Sequence, residues 1–328
     1  SDDQQLASGA KDRAEKLIGS MNSKWWNPDG EYFAFGVSAQ GKRADMVGAW
    51  PCVLLALAPV EFLKLLGAGP DLHEHALNSL RQVEKLASPE LSTDWGIRWL
   101  SNKDPLYDSV SYNNGTAWPF MGGLAAWAQY NFYKGPAAYS TLTSLVHLTG
   151  VQSPGAMPEH MNGDRNVPGE RSVPHQLFSS VGVLVPTVRG LLGLACESSS
   201  QLLTFSPKIP ADWPSLRFSQ FSCRQSLVNG EVTQQPNRLM IKLESSGGDA
   251  LSVLLSPALP FGSNVTRLLI NGKPAKYGQR IQGDSTRLLV MFVLARRAEI
   301  VIEHSGGIGV VVPGLRPGIG ERTASLRI

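Results

Sequence analysis

The sequence predicts an α + β protein in two parts, helical hairpins followed by an antiparallel β-sandwich. Three observations predict it. The first 200 residues show six or seven helical patterns and no series of strands. Beyond them come seven short β-type runs separated by turn signals, the spacing of a sandwich. Between the two textures lies the polar Glu197-Ser-Ser-Ser200, which sets the expected domains at 1–200 and 201–328. A chain of 328 residues is long enough for two such cores.

In order along the chain, residues 4–23 carry Leu6, Ala10, Ala14, Leu17, Ile18 and Met21 at helical spacing. Trp25-Trp26-Asn-Pro-Asp-Gly30 reads as a turn, and Glu31–Phe35 as a short strand or extended loop. Asp45–Leu66 is apolar, with Pro51 tolerated in a first helical turn and Pro59 expected to kink or divide it. An amphipathic helix over 71–87 ends before Pro89, and the loop Ser92–Gly115 follows. Helices are expected over Thr116–Tyr133, over Pro136–Leu148 and, after a long polar loop at 150–174, over His175–Cys196 with Pro186 inside it. Seven of the eight tryptophans fall in this first part, and long loops between helices suit hairpins whose loops gather on one face.

In the second part the β-type runs are Leu202–Phe205, Arg217–Phe221, Leu239–Leu243, Leu251–Leu255, Arg267–Ile270, Leu288–Val293 and Glu299–Ile302, with Gly309–Pro313 and Ala324–Ile328 as further edge candidates. Asn229-Gly, Gly247-Gly-Asp and Asn271-Gly supply the turns.

Composition excludes several functions. Hydrophobic residues at 42% and charged residues at 17% describe an ordinary globular chain, and the net charge of +3 is spread without a Lys/Arg run, so no nucleic-acid partner is expected. No apolar run approaches the roughly 18 residues that span a bilayer, so no membrane partner is expected. Cys52, Cys196 and Cys223 lack the spacing of a metal site and read as buried free thiols. The six histidines form no metal-ligand grouping, and His73-Glu-His75 reads as a solvated helix face. No phosphate loop and no Gly-x-Ser-x-Gly elbow is present, and neither metal nor cofactor is expected. The chain opens into a helical pattern without an initiator Met or a signal peptide, which points to a processed, trimmed or partial chain. Cytoplasm and periplasm or secretion stay open.

Chemistry concentrates in the loops of the first part. Tyr107–Phe120 packs two Tyr, two Asn, a Gly and a Trp-Pro into fourteen residues ahead of an apolar helix, the composition of one wall of a polar-ligand site. Trp95, Trp99, Trp118, Tyr107 and Tyr112 can stack on sugar C–H faces, with Asn113 and Asn114 bonding to hydroxyls; as plain residues the tryptophans read equally as core rings. Glu159, in Met157–Asp164, could deprotonate a water with His175 and Gln176 nearby to orient it, or be an exposed loop carboxylate. Asp94 reads as an N-cap or an Arg98 partner.

Asp94-Trp-Gly-Ile-Arg98 with Leu100-Ser101, Tyr107, Tyr112-Asn-Asn-Gly-Thr-Ala-Trp-Pro119, Pro158-Glu159, Pro174-His-Gln176 and Val188–Leu194 together resemble the C-terminal half of the six-hairpin (α/α)6 domain of glycogen-debranching (amylo-α-1,6-glucosidase-like) and related α-glucosidases. Leu203–Pro207, Ile209–Trp213 and Ile270-Asn-Gly272 are similar to the sandwich that closes such enzymes. The resemblance implies an inverting hydrolase of α-glucan or a related oligosaccharide or polysaccharide. Its general base would be Glu159, and its substrate contacts would be Trp95, Arg98, Tyr107, Tyr112, Asn113, Asn114, Trp118, His175 and Gln176. Inverting enzymes set their two carboxyl groups about 6.5–9.5 Å apart, to leave room for water. The family's acid comes from an earlier hairpin, so Asp94 is the in-chain alternative, as acid or as substrate contact. Six or seven helices make about half of a twelve-helix barrel. The implied partner is therefore the N-terminal half of the catalytic domain. A non-catalytic carbohydrate-binding protein and a fragment lacking the acid are the competing readings.

Overall fold

A computed structural model describes residues 2–57, 70–197, 200–248, 250–309 and 323–327. The chain divides into two compact units. Unit one is Ser1–Phe132 with Thr141–Pro186, and unit two is Tyr133–Ser140 with Thr187–Ile328. Pro59 and Val310–Pro313, where a kink and an edge strand are expected, lie outside the described residues.

Unit one is helical. Helix α1 (Asp2–Ser20) runs into a π-helical turn, Met21–Trp25. Two minimal hairpins follow, β1 (Trp26–Asn27) with β2 (Tyr32–Phe33) and β3 (Gly36–Val37) with β4 (Arg43–Ala44), where the sequence left Glu31–Phe35 between strand and loop. Helix α2 (Pro51–Leu57) starts on its proline, which lacks the N–H that a first turn leaves unpaired anyway. Helix α3 (Pro70–Leu86) is amphipathic as expected, but its inner face is polar. His75, Asn78, Ser79 and Gln82 are buried beside Val83 and Leu86. The Gln82 Oε1 accepts from the Phe33 N–H at 2.7 Å, which ties α3 to β2. His75 is therefore not on a solvated face: it packs 5.7 Å from the Phe33 ring, and burial pushes its pKa down to about 4.

Hairpin β5 (Ser92–Thr93) and β6 (Gly96–Ile97) leads through the aromatic loop to α4 (Pro119–Asn131). Next comes α5 (Gly135–Val146), whose first turns belong to unit two. Helix α6 (Leu177–Val185) crosses α4 so closely that a Cβ on Gly123 would lie 2.2 Å from the Gly182 carbonyl oxygen. Two glycines at one crossing are what allow backbones to approach this far.

The helix read over His175–Cys196 is shorter. It ends at Val185, Pro186–Leu191 forms a π-helical turn, and Leu194–Glu197 is a strand, β7. Proline cannot continue the ladder of helical N–H bonds, and the following residues find strand partners instead.

Unit two is a sandwich. One sheet orders β15 (Lys273–Pro274), β14 (Asn264–Ile270), β18 (Arg297–Ser305), β11 (Arg238–Ser246), β10 (Ser226–Gln235), β9 (Ser215–Cys223) and β19 (Thr323–Arg327). The other orders β13 (Ala258–Pro260), β17 (Ser285–Leu294), β12 (Leu251–Leu255), β8 (Leu202–Phe205) and β7, with β16 (Gly278–Gln282) also on β17. Pairing is antiparallel except β8 with β12 and β9 with β19, which are parallel. Alternate residues point inward, so Leu216 and Phe218 of one sheet meet Phe205, Val253 and Leu255 of the other in a single apolar core. Cys196 of β7 and Cys223 of β9 form a disulfide between the two sheets, against the expectation of free thiols; Cys52 alone is free and buried. The two partners are 27 residues apart, and only the stacking of the sheets brings them together.

Candidate functional site

Main-chain bonds stitch four loops of unit one side by side. Ala49 N–H donates to Trp99 O at 3.0 Å, and Trp99 N–H to Thr116 O at 3.0 Å. Ala117 and Met161 exchange both bonds at 2.9 and 2.8 Å, and Glu159 N–H reaches Val173 O at 2.8 Å. This is strand pairing in miniature, and its alternation decides where side chains go. Ala117 and Met161 enter an apolar cluster with Leu145, Leu148 and Met157. Their neighbours Trp118 and His160 turn to the opposite side, where the two rings lie 5.5 Å apart.

From there a row of rings extends. Trp118 is 5.5 Å from Trp99, Trp99 is 4.1 Å from Trp50, and Trp50 is 5.5 Å from Phe35. Tyr112 stands edge-on to Trp118 at 4.6 Å and to His160 at 5.0 Å, and Phe178 stacks on Trp118 at 6.3 Å. The row is buried at its middle and open at its ends: Trp118 is 7% exposed, Trp50 39% and Tyr112 47%. The Trp118 indole N–H is held by Thr116 Oγ1 at 2.9 Å and Tyr112 O at 3.1 Å, which fixes the ring.

Glu159 sits at the end of this row, 9% exposed. The Tyr112 hydroxyl donates to its Oε1 at 2.6 Å, while Oε2 has only a long contact, 3.5 Å from Val173 N. That hydrogen bond to the carboxylate, with some burial, pushes the Tyr112 phenol up to about 12. A second pair mirrors it. The Tyr107 hydroxyl donates to Asp164 Oδ1 at 2.6 Å, and burial together with that bond pushes Tyr107 up to about 12. The loops 107–112 and 159–164 thus run antiparallel, each tyrosine of one holding a carboxylate of the other. Gly163 N–H donating to Ser109 O at 2.9 Å pins them midway.

The other sequence-predicted residues divide. Arg98 is buried, and its guanidinium is committed to main-chain oxygens of Gly163 at 2.7 Å and Pro89 at 2.9 Å, with Asp164 at 3.9 Å. It braces the wall from behind. Trp95 donates its indole N–H to Asn162 O at 2.8 Å and packs on the Leu145–Met161 cluster. Asn113 and Asn114 are exposed beside Tyr112, their side chains without a bond among the described residues. His175 is exposed, and Gln176 occupies the N-cap of α6 with its N–H on Met157 O at 2.9 Å. Asp94 is exposed at the turn between β5 and β6, where Thr93 Oγ1 rather than Asp94 bonds the turn.

Sequence reasoning did not single out His160, Trp50 or Asp164. His160 is 1% exposed, burial lowers its pKa, and neither ring nitrogen has a partner among the described residues. The one signal for Trp50 was its position directly ahead of Pro51, a loop-to-helix junction like Trp118-Pro119. Among the described residues, no group of three metal-ligating side chains occurs, and no helix is long and apolar enough to cross a membrane.

No known family profile and no curated protein matches the chain. Among solved structures it is similar to a GH127 β-L-arabinofuranosidase from Geobacillus stearothermophilus T6, at 11% identity and TM-score 0.37, covering 77% of this chain and 41% of that one. It is also similar to an α-L-rhamnosidase from Dictyoglomus thermophilum, at 12% identity and TM-score 0.39, covering 78% and 31%. A Streptomyces avermitilis α-L-rhamnosidase complexed with L-rhamnose gives 13% identity and TM-score 0.32, covering 91% and 31%. The chain spans about a third to two fifths of these proteins.

Proposed function

We propose that unit one carries the sugar-binding wall and the general base of a glycoside hydrolase. The observation that carries this reading is the Glu159 carboxylate, sunk at the end of a ring row with Oε1 bonded to Tyr112 and Oε2 left for another partner. The exposed rings of the row, Phe35, Trp50 and Tyr112, suit the C–H faces of sugar units, and Asn113 and Asn114 suit their hydroxyls. Oε2 would take a proton from a water that attacks the anomeric carbon. A second carboxylic acid on the opposite face of the sugar would protonate the leaving oxygen, the inverting course. The substrate class is α-glucan or a related oligosaccharide, which rests on the motif resemblance.

The acid is the open part. Asp94 stands apart at its turn, and Asp164 is already held by Tyr107. The proposal therefore places the acid in the N-terminal half of a longer catalytic domain, acting together with this chain. Glu159→Gln tests the base: hydrolysis of maltooligosaccharides by the assembled enzyme should fall about 10²–10⁴-fold, the usual worth of a positioned acid or base. Unchanged hydrolysis removes Glu159 from the role. A second reading, carbohydrate binding without catalysis, is favoured by the exposure of Asp94. Binding of maltooligosaccharides with no release of reducing sugar, even in the presence of the proposed N-terminal half, would establish it.

A further inference from the structure

Unit two has a cleft of about 610 Å³ at one end of its sandwich. Its walls are the loop Ala211–Pro214, the turn from Gln235 to Arg238 that joins β10 to β11, strand β13 and the segment after β18. This volume lies within the range of small-molecule sites, about 300–1,000 Å³. A crevice between loops needs no ligand to explain it, so the lining decides.

The walls are preformed. Gln234 Nε2 donates to Pro210 O and Trp213 O, both at 2.6 Å, which clamps the 210–214 loop to β10. His304 N–H donates to Asn237 O at 3.0 Å, and Phe261 and Ile308 exchange both main-chain bonds at 3.2 and 2.8 Å. Trp213 is half-buried and rigid: its indole N–H donates to the Tyr139 hydroxyl at 3.1 Å, and the two rings meet edge to face at 5.8 Å.

Within this frame several groups await partners. The side chains of Gln235, Asn237 and Arg238 are exposed and make no bond among the described residues. His304 is 5% exposed, and its Nδ1 has no partner. A native fold rarely leaves a buried polar atom unmatched without a reason. His304 is among the residues that line the cleft, and its Nδ1 is the ring nitrogen without a partner among the described residues.

We propose that this cleft is a second carbohydrate site, carried by unit two alone. A sugar offers an apolar C–H face and a rim of hydroxyls that both donate and accept. The cleft answers with an indole, two amides that both donate and accept, a guanidinium and an imidazole. A nucleotide or other polyanion fits less well, because among the described residues Arg238 is the one Lys or Arg of the lining and Asp212 stands in the same walls. The first probe, an α-glucan fragment, rests on the reading of unit one; the site itself does not.

The test follows the indole N–H resonances of the full chain during titration with maltotetraose, and then with cello-, xylo- and arabino-oligosaccharides. The Trp213 resonance is assigned by its loss in Trp213→Phe. At least one sugar should shift Trp213 in wild type and equally in Glu159→Gln. Arg238→Ala and Asn237→Ala should each weaken that binding about tenfold, while the dispersion of the other resonances stays unchanged because both side chains are exposed and unbonded. A panel in which no sugar moves Trp213, or binding indifferent to both substitutions, overturns the proposal. A shifted Trp213 in a chain whose Glu159→Gln form hydrolyses normally would instead sink the reading of unit one and leave this site standing.

Discussion

Replacement of Glu159 by Gln should be readable at Tyr112 without any substrate. In the native chain the Tyr112 phenol is pushed up to about 12, first by its hydrogen bond to Glu159 and then by burial. An amide of the same shape removes the negative charge but leaves the burial. The phenol should therefore fall by about 1–2 pH units, toward the ordinary value of about 10. At pH 10.5 a group of pKa 12 is roughly 3% ionised, whereas one between 11 and 10 is roughly 25–75% ionised. The difference is large enough to follow by Cζ-labelled tyrosine NMR. Tyr112→Phe identifies the resonance among the seven tyrosines. Tyr107, bonded to Asp164 rather than Glu159, is the internal control and should stay near 12 in both proteins. Equal Tyr112 titration in native and Glu159→Gln chains would show that the two groups are not bonded, and the reasoning that gives Glu159 a fixed orientation would fail with it.

Three further outcomes follow from the fold. Gly182→Ala would place a Cβ 2.5 Å from the Pro119 carbonyl oxygen, where α6 crosses α4. Overpacking against backbone costs about 1–3 kcal/mol, more than the helical preference of Ala over Gly returns, so thermal scans should show a lowered midpoint rather than a raised one. Reduction of Cys196–Cys223 opens a loop of 27 residues and should destabilise unit two by about 3.5 kcal/mol on the chain-entropy estimate. Denaturation with and without reductant measures it, and the Cys196→Ser form should lose the reductant effect. His75 is held down to about 4 from 6.5 by burial. Above pH 6.5 it is neutral folded and unfolded; between 6.5 and 4 only the unfolded chain takes up the proton, so stability falls as pH falls, by about 3 kcal/mol in all. In urea titrations at pH 7 and pH 4, His75→Gln should flatten that decline, and an unchanged slope would refute the assignment.

Much of this was already written in local patterns. The periods of 3.6 and 2 divided the helical part from the sandwich, because each element must present one apolar face to a core whatever its neighbours are. The density of rings and amides at Tyr107–Phe120 singled out the loop whose Tyr112 and Trp118 meet His160 in the structure. Other features had no local signature. The Cys196–Cys223 bridge depends on two sheets lying face to face, and the burial of His75 on which face of α3 meets β2. Arg98 read as a sugar contact, yet its guanidinium is occupied by main-chain oxygens that only loop packing places around it. The pairing of Tyr112 with Glu159 and of Tyr107 with Asp164 joins residues 47 and 57 positions apart. The sequence by itself determined what kinds of element and what kinds of side chain this protein has. The tertiary structure alone decided which of those side chains meet, because contacts across loops are set by the register of the chains between them and not by any residue in the loop.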